Sequence, residues 1–142
     1  MLVQEYFKSR SEILEQALDA YLQPTDMHSG QLLEAMRYSI FSGGKRLRPV
    51  LMFACYEMLI GRKNLRRLER LLPAACALEL IHTASLIHDD LPSVDNSPER
   101  RGKASCHVKF DEATAILAGD ALITLAMQCC TDIKNNTHAL KA

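Results

Sequence analysis

The sequence predicts an all-α fold in a single domain covering residues 1–142. Apolar residues recur at helical spacing along most of the chain, and no segment shows a convincing strand alternation. Prolines and glycines fall where the helical periods end. There is no internal repeat and no low-complexity tract.

The first helix follows from Val3, Phe7, Leu14, Leu18 and Tyr21, with Pro24 closing the segment. A short polar linker over 25–30 leads to a second helix, Gln31 to Ser42, stopped by Gly43-Gly44. A third spans Pro49 to Ile60 and ends at Gly61. The basic stretch 62–70 reads as a connector, and it lacks the interleaved aromatics that would stack bases. Leu71 to Asp90 is a long apolar run ended by Pro92. Ser93 to His107 reads as polar and irregular, Asp111 to Cys130 as the last helix, and the tail 131–142 as frayed.

Composition narrows the class further. With 48% hydrophobic and 24% charged residues the chain belongs with globular proteins and not disordered ones. The balance of 17 basic against 17 acidic residues argues against wholesale binding to nucleic acid or an anionic membrane. No run approaches the roughly 20 apolar residues of a membrane-spanning helix, and charges interrupt the first residues where a signal peptide needs its apolar stretch. The five cysteines are odd in number and lack C-x-x-C spacing, so neither a disulfide framework nor a zinc knuckle is expected. Cys55 and Cys76 are expected in the core, and the compartment is expected to be the reducing cytoplasm.

The chemistry concentrates in residues 73–90. This helix is apolar almost all round, the mark of burial in a bundle, yet carries Glu79, His82, Ser85 and Asp89 at helical spacing. At 3.6 residues per turn, His82 and Asp89 lie within about 20° of each other. Buried polar groups without partners cost roughly 1–3 kcal/mol each, so the stripe must be satisfied by something. Asp89 and Asp90 close the helix where the macrodipole disfavours carboxylates, and Asp95 follows past Pro92. Such a cluster becomes favourable when a hard cation neutralises it, and Mg2+ suits one or two carboxylates plus substrate phosphates. Arg100, Arg101, Lys103 and His107 come next, and guanidinium groups beside a carboxylate site clamp phosphate oxygens bidentately. Upstream, Gly43-Gly44-Lys45-Arg46-Leu47-Arg48-Pro49 is no Walker A loop. Alone it reads as a glycine helix ending with nearby cations, and equally as a backbone open to an anion.

Together, the Gly43–Pro49 run, Glu79-Leu-Ile-His82 through Asp89-Asp90-Leu-Pro-Ser-Val-Asp95-Asn96, Arg100-Arg101-Gly102 and Ala118-Gly119-Asp120 resemble the trans-isoprenyl diphosphate synthases. These are the farnesyl and geranylgeranyl diphosphate synthases of the polyprenyl synthetase family, and the likeness runs from about Met36 to Leu125. The resemblance implies a helical bundle of the isoprenoid synthase type, here its N-terminal part. It implies Mg2+-dependent condensation of an allylic diphosphate with isopentenyl diphosphate. By match, Asp89 and Asp95 hold the metal and Asp90 supports it. Arg100 contacts the allylic diphosphate, while Gly44, Lys45, Arg48, His82 and Arg101 receive the isopentenyl diphosphate. Small Ala84 and Ser85 before the aspartates imply a product longer than farnesyl, with geranylgeranyl the first expectation.

Two departures from the pattern carry expectations. Asn96, Ser97 and Pro98 stand where many relatives have further aspartates. No second D-D-x-x-D occurs before Ala142, so the chain is expected to be weakly active or inactive alone. Its apolar faces, such as Ala113 to Leu125, are expected to need cover from a homo-oligomer, a dimer first, or from a complementary chain, and otherwise to leave the fold loosened. A non-catalytic or regulatory synthase-like subunit is the main alternative. An HD-type metal phosphohydrolase is a remote one, since it needs further His and Asp ligands converging on His82, His88 and Asp89.

Overall fold

A computed structural model describes residues 2–24, 30–60 and 68–133. Among them run α1 (Val3–Tyr21), α2 (Gly30–Phe41), α3 (Leu47–Ile60), α4 (Leu72–Asp89), a hairpin of β1 (Glu99–Arg100) and β2 (Lys103–Ala104), α5 (Cys106–Lys109) and α6 (Glu112–Thr131). The fold is all-α, as expected, and the long helices begin and end within two residues of their expected bounds. The expected linker, the basic connector and the frayed tail fall largely outside the described residues, as does His28.

α4 is the axis of the bundle. Its most extensive packing is against α6, with α3, α1 and α2 around it, which is why it is apolar on nearly every side. The α4–α6 seam is lined by small side chains. Ala75, Cys76, Ala77 and Ala84 from α4 are buried, as are Ala115, Ala118, Gly119, Ala126 and Cys129 from α6. Leu80 and Leu122 fill out the seam, both fully buried. Leu14 and Leu18 of α1 and Ile40 of α2 are likewise wholly buried, each contributing about 1.5–3 kcal/mol.

Two buried ion pairs tie elements together. Arg10 of α1 donates through Nε to Glu57 of α3 at 2.7 Å. Arg46, just before α3, donates through Nη1 to Glu79 of α4 at 2.9 Å, with both side chains 2% exposed. At its start, α6 is capped by Asp111, whose carboxylate accepts from the Thr114 backbone N–H at 2.7 Å.

Three expectations need correction. Residues 93–107 are not irregular throughout: they hold an antiparallel hairpin with Glu99 opposite Ala104 and Arg100 opposite Lys103, and the start of α5. The two turn residues, Arg101 and Gly102, have φ of 57° and 75°, the left-handed pair that two-residue hairpins need. Strands of two residues carry no readable alternation, and Arg-Gly is not the usual turn signal. Second, Cys55 is exposed while Cys76 is buried, because α3 turns Val50, Phe53 and Glu57 inward and position 55 away from them. Third, α6 is long and apolar enough by length and composition to cross a membrane. Within the bundle about a third of that stretch is buried, and it packs most extensively against α4.

Candidate active site

The site forms where three loops meet the C-terminal half of α4. The first is Gly43–Arg46, between α2 and α3. Arg46 lies in the left-handed region at φ 48°, and its buried side chain reaches Glu79, the Ile40 carbonyl at 2.7 Å and Glu15 at 3.3 Å. This anchor satisfies the innermost member of the α4 polar stripe. It leaves Gly43, Gly44 and Lys45 exposed above it. Gly44 has φ 140°, and a Cβ there would stand 2.7 Å from Arg101 Nη1. Glycine therefore allows both the turn and the close approach of that guanidinium, which also donates to the Gly43 carbonyl.

At the start of α3, Arg48 lies 3.2 Å from His82 through Nη1 and Nε2. The His82 imidazole is held below its ordinary pKa first by burial and then by Arg48, with Arg101 and Arg100 adding to the effect and Glu79 opposing it. Arg101 is likewise lowered, by burial and by the neighbouring Arg46 and Arg100. Gly44, Arg48, His82 and Arg101 are thus gathered into one cationic cluster beside exposed Lys45. The acid nearest the cluster, Glu79, is already committed to Arg46. Such a cluster has room in its electrostatics for an anion.

Residues 91–97 fold back over the end of α4 and bring Asp95 up to Asp89 and Asp90. Asp95 N–H donates to the Asp89 carbonyl at 2.9 Å, and Ser97 N–H to the Asp90 carbonyl at 3.2 Å. These bonds satisfy carbonyls that a helix end leaves unpaired. Asp89 and Asp95 are exposed, while Asp90 is turned inward with its side chain 3% exposed and paired to Arg100. Arg100 sits in the field of all three aspartates, which hold its guanidinium above the ordinary value; the Asp90 hydrogen bonds are the largest cause. The left-handed non-glycine residues among the described ones are Arg46, Asn96 and Arg101. Each falls in one of the three site loops, where backbone strain concentrates at functional sites.

Two exposed carboxylates are hard oxygen donors that fit Mg2+, which binds few protein ligands and completes its shell with waters and phosphate oxygens. Among the described residues, no three His, Cys, Asp or Glu side chains converge on one point. The donor set of the HD reading is therefore not assembled among them. Of the two positions tied to product length, Ser85 is exposed and donates to the His82 carbonyl at 2.8 Å. Ala84 is fully buried in the core.

Comparison with known proteins decides the family. The polyprenyl synthetase profile matches residues 29–142. The chain belongs to the polyprenyl synthetase family. It is 48% identical over 118 residues to a farnesyl diphosphate synthase of Haemophilus influenzae, covering 83% of this chain and 38% of that protein. A heterodimeric geranylgeranyl pyrophosphate synthase large subunit of Arabidopsis thaliana is 46% identical over 126 residues, covering 87% of this chain and 31% of that one. Among solved structures, a geranyltransferase from Legionella pneumophila superposes with TM-score 0.82 at 39% identity, covering 93% of this chain and 45% of that one. An FPP/GFPP synthase from Zymomonas mobilis gives TM-score 0.84 at 37% identity, covering 96% and 48%. The chain thus spans less than half the length of these relatives.

Three residues that shape this site were given no individual role from sequence, although Arg46 and Gly119 lie within the motif runs. Arg46 is the partner that Glu79 required, and an acidic residue inside an apolar helix was the available signal. Tyr38 of α2 donates to the Ala104 carbonyl at 2.8 Å, pinning the hairpin that carries Arg100 and Arg101. Gly119 of α6 lies against the His88 ring, where a Cβ would stand 2.1 Å from Nε2. The last two depend on which elements meet, and no local pattern announces them.

Proposed function

We propose that this chain supplies the first diphosphate-binding and metal-binding wall of a Mg2+-dependent prenyl transfer in isoprenoid biosynthesis. In that reaction the isopentenyl double bond attacks the allylic carbon, diphosphate leaves and a proton is lost. One observation supports this reading above the others. A carboxylate rim (Asp89, Asp95) and a cationic cluster (Arg48, His82, Arg101) lie along one side of α4, joined by the adjacent Arg100 and Arg101 of the hairpin. One substrate diphosphate would meet the rim beside Arg100 and the other would meet the cluster.

Asp89 and Asp95 are the residues that would hold Mg2+, whose charge when bound supplies neutralisation of the leaving diphosphate. Arg48 and Arg101 bind phosphate oxygens, and neutral His82 donates one hydrogen bond without adding charge. Arg46 and Glu79 hold the Gly43–Lys45 loop at a fixed height above α4. Preorganised donors in a partly dry site act on developing charge without reorganising. Ile116 and Leu117 of α6 stand 43% and 57% exposed, an apolar face for a second copy or a complementary chain. In the second case the chain is a subunit whose catalysis appears only with its partner.

Titration calorimetry with inorganic pyrophosphate tests the reading. Binding should require Mg2+, and Asp89→Asn with Asp95→Asn should weaken it at least about tenfold. Binding that ignores Mg2+, or its absence in the unaltered chain, would refute the proposal.

A further inference from the structure

We infer that the small cavity between α2, α4 and the start of α5 is a binding site for one ordered water molecule, held by the hydroxyl of Thr83. Thr83 lies in the body of α4, about 100° round the helix from His82, and is 2% exposed. Its Oγ1 has no hydrogen-bond partner among the described residues. A threonine inside a helix commonly returns its proton to the carbonyl one turn back, as Thr124 of α6 does to Asp120 at 2.9 Å. Thr83 forgoes that bond. A buried hydroxyl left in this way bears the full loss of its hydration, so its environment must offer a partner.

Space for a partner is present. Thr83 lines a cavity of about 30 Å³ with Tyr38, Ser39 and Ser42 of α2 and Cys106 of α5. A water needs at least about 10–15 Å³. The cavity therefore admits a water, and a ligand of several heavy atoms does not fit. Charged groups at its edge are already engaged, Asp90 with Arg100 and Arg101 with the Gly43 carbonyl.

Donors and acceptors decide what the occupant must be. A hydroxyl has one proton and two lone pairs. Tyr38 spends its proton on the Ala104 carbonyl at 2.8 Å, Ser39 on the Ala35 carbonyl at 2.9 Å, and Ser42 on the Tyr38 carbonyl. The three α2 hydroxyls on the cavity thus have lone pairs to offer and no proton, whereas Thr83 has a proton to give. Water completes that set: it accepts from Thr83 and donates to hydroxyl oxygens of α2. Three such bonds are the usual complement of a buried water. Because Tyr38 also holds the hairpin through Ala104, the water joins α4 to the α2 face on which the hairpin is seated.

Oxygen-17 relaxation dispersion of the solvent tests this on the 142-residue chain. Mg2+ and pyrophosphate are left out, so the outcome does not depend on the proposed function. The unaltered chain should hold at least one water that exchanges more slowly than the protein tumbles. Thr83→Val keeps the side-chain shape without the hydroxyl and should lower the number of such waters by one. Thr83→Ser keeps the hydroxyl and should retain it. An unchanged number in Thr83→Val, or an equal loss in Thr83→Ser, would overturn the inference. If Thr83→Val does not fold, the unaltered chain decides through cross-relaxation between water and the Thr83 methyl group. A cross-peak with the sign of a slowly exchanging water is expected there, and its absence would overturn the inference.

Discussion

Arg46 and Arg48 stand two residues apart in one motif, and the fold uses them for opposite purposes. Arg46 is buried and fully engaged by Glu79, Glu15 and the Ile40 carbonyl. Arg48 is exposed and meets the edge of a neutral histidine among other cations. The same division runs along α4, where Glu79 at one level is closed by an internal partner and Asp89 at the rim is left open. The lower level holds the structure together. The upper level carries charge that the protein itself leaves uncompensated, which is the condition for binding a charged ligand.

Breaking the lower level should have the largest effect. Glu79→Gln leaves the Arg46 guanidinium buried without its counter-charge and should cost about 3–5 kcal/mol, seen as a lower urea midpoint with an unchanged slope. Arg48→Ala, two residues away from Arg46, should leave that midpoint within about 0.5 kcal/mol while weakening pyrophosphate about tenfold. Equal losses of stability from the two changes would erase the distinction.

A middle case combines close packing with polar contacts, since His88 Nε2 also lies 3.8 Å from Asp120 Oδ1. His88 Nε2 lies 3.2 Å from the Ile116 carbonyl, and its ring fills the notch left by Gly119. Gly119→Ala should cost about 1–3 kcal/mol by overpacking. His88→Ala should restore much of that loss in the double variant, as thermal unfolding would show. Additive losses would mean that the ring and the glycine do not share the space.

The smallest effect sharpens the upper level. The His82 pKa lies below its unfolded value of 6.5, through burial first and Arg48 next. Below that value the unfolded chain takes up a proton that the folded chain resists, so the unfolded state binds more protons. Stability from this group is complete above 6.5 and declines as pH falls towards the depressed folded value. His82→Asn should flatten that part of the stability–pH curve between pH 7 and 5. An unchanged curve would show that the cationic cluster does not act on His82.

Much of this was legible in the chain. The helical periods, the punctuation by Pro24, Gly43-Gly44 and Pro92, and the polar stripe from Glu79 to Asp89 depend on residues close in sequence. Local spacing maps directly onto a helix face, so these readings survive folding nearly unaltered. The gathering of Gly44, Arg48, His82 and Arg101 was expected through family resemblance, and the geometry brings them together. The hairpin was missed because two-residue strands have no period. Cys55 was misplaced because apolar neighbours along a helix do not say which face turns inward.

By itself the sequence determined that the chain is helical, that one buried helix carries polar groups demanding partners, and which family's motifs those groups form. Only the tertiary structure decided which demands the protein meets internally. Arg46 takes Glu79, Asp90 takes Arg100 and His88 takes the space at Gly119. Meanwhile Asp89, Asp95, Arg48 and Lys45 remain at the surface. The physical reason is distance: a pairing between residues 10 to 33 positions apart depends on how whole helices dock, which no local pattern encodes.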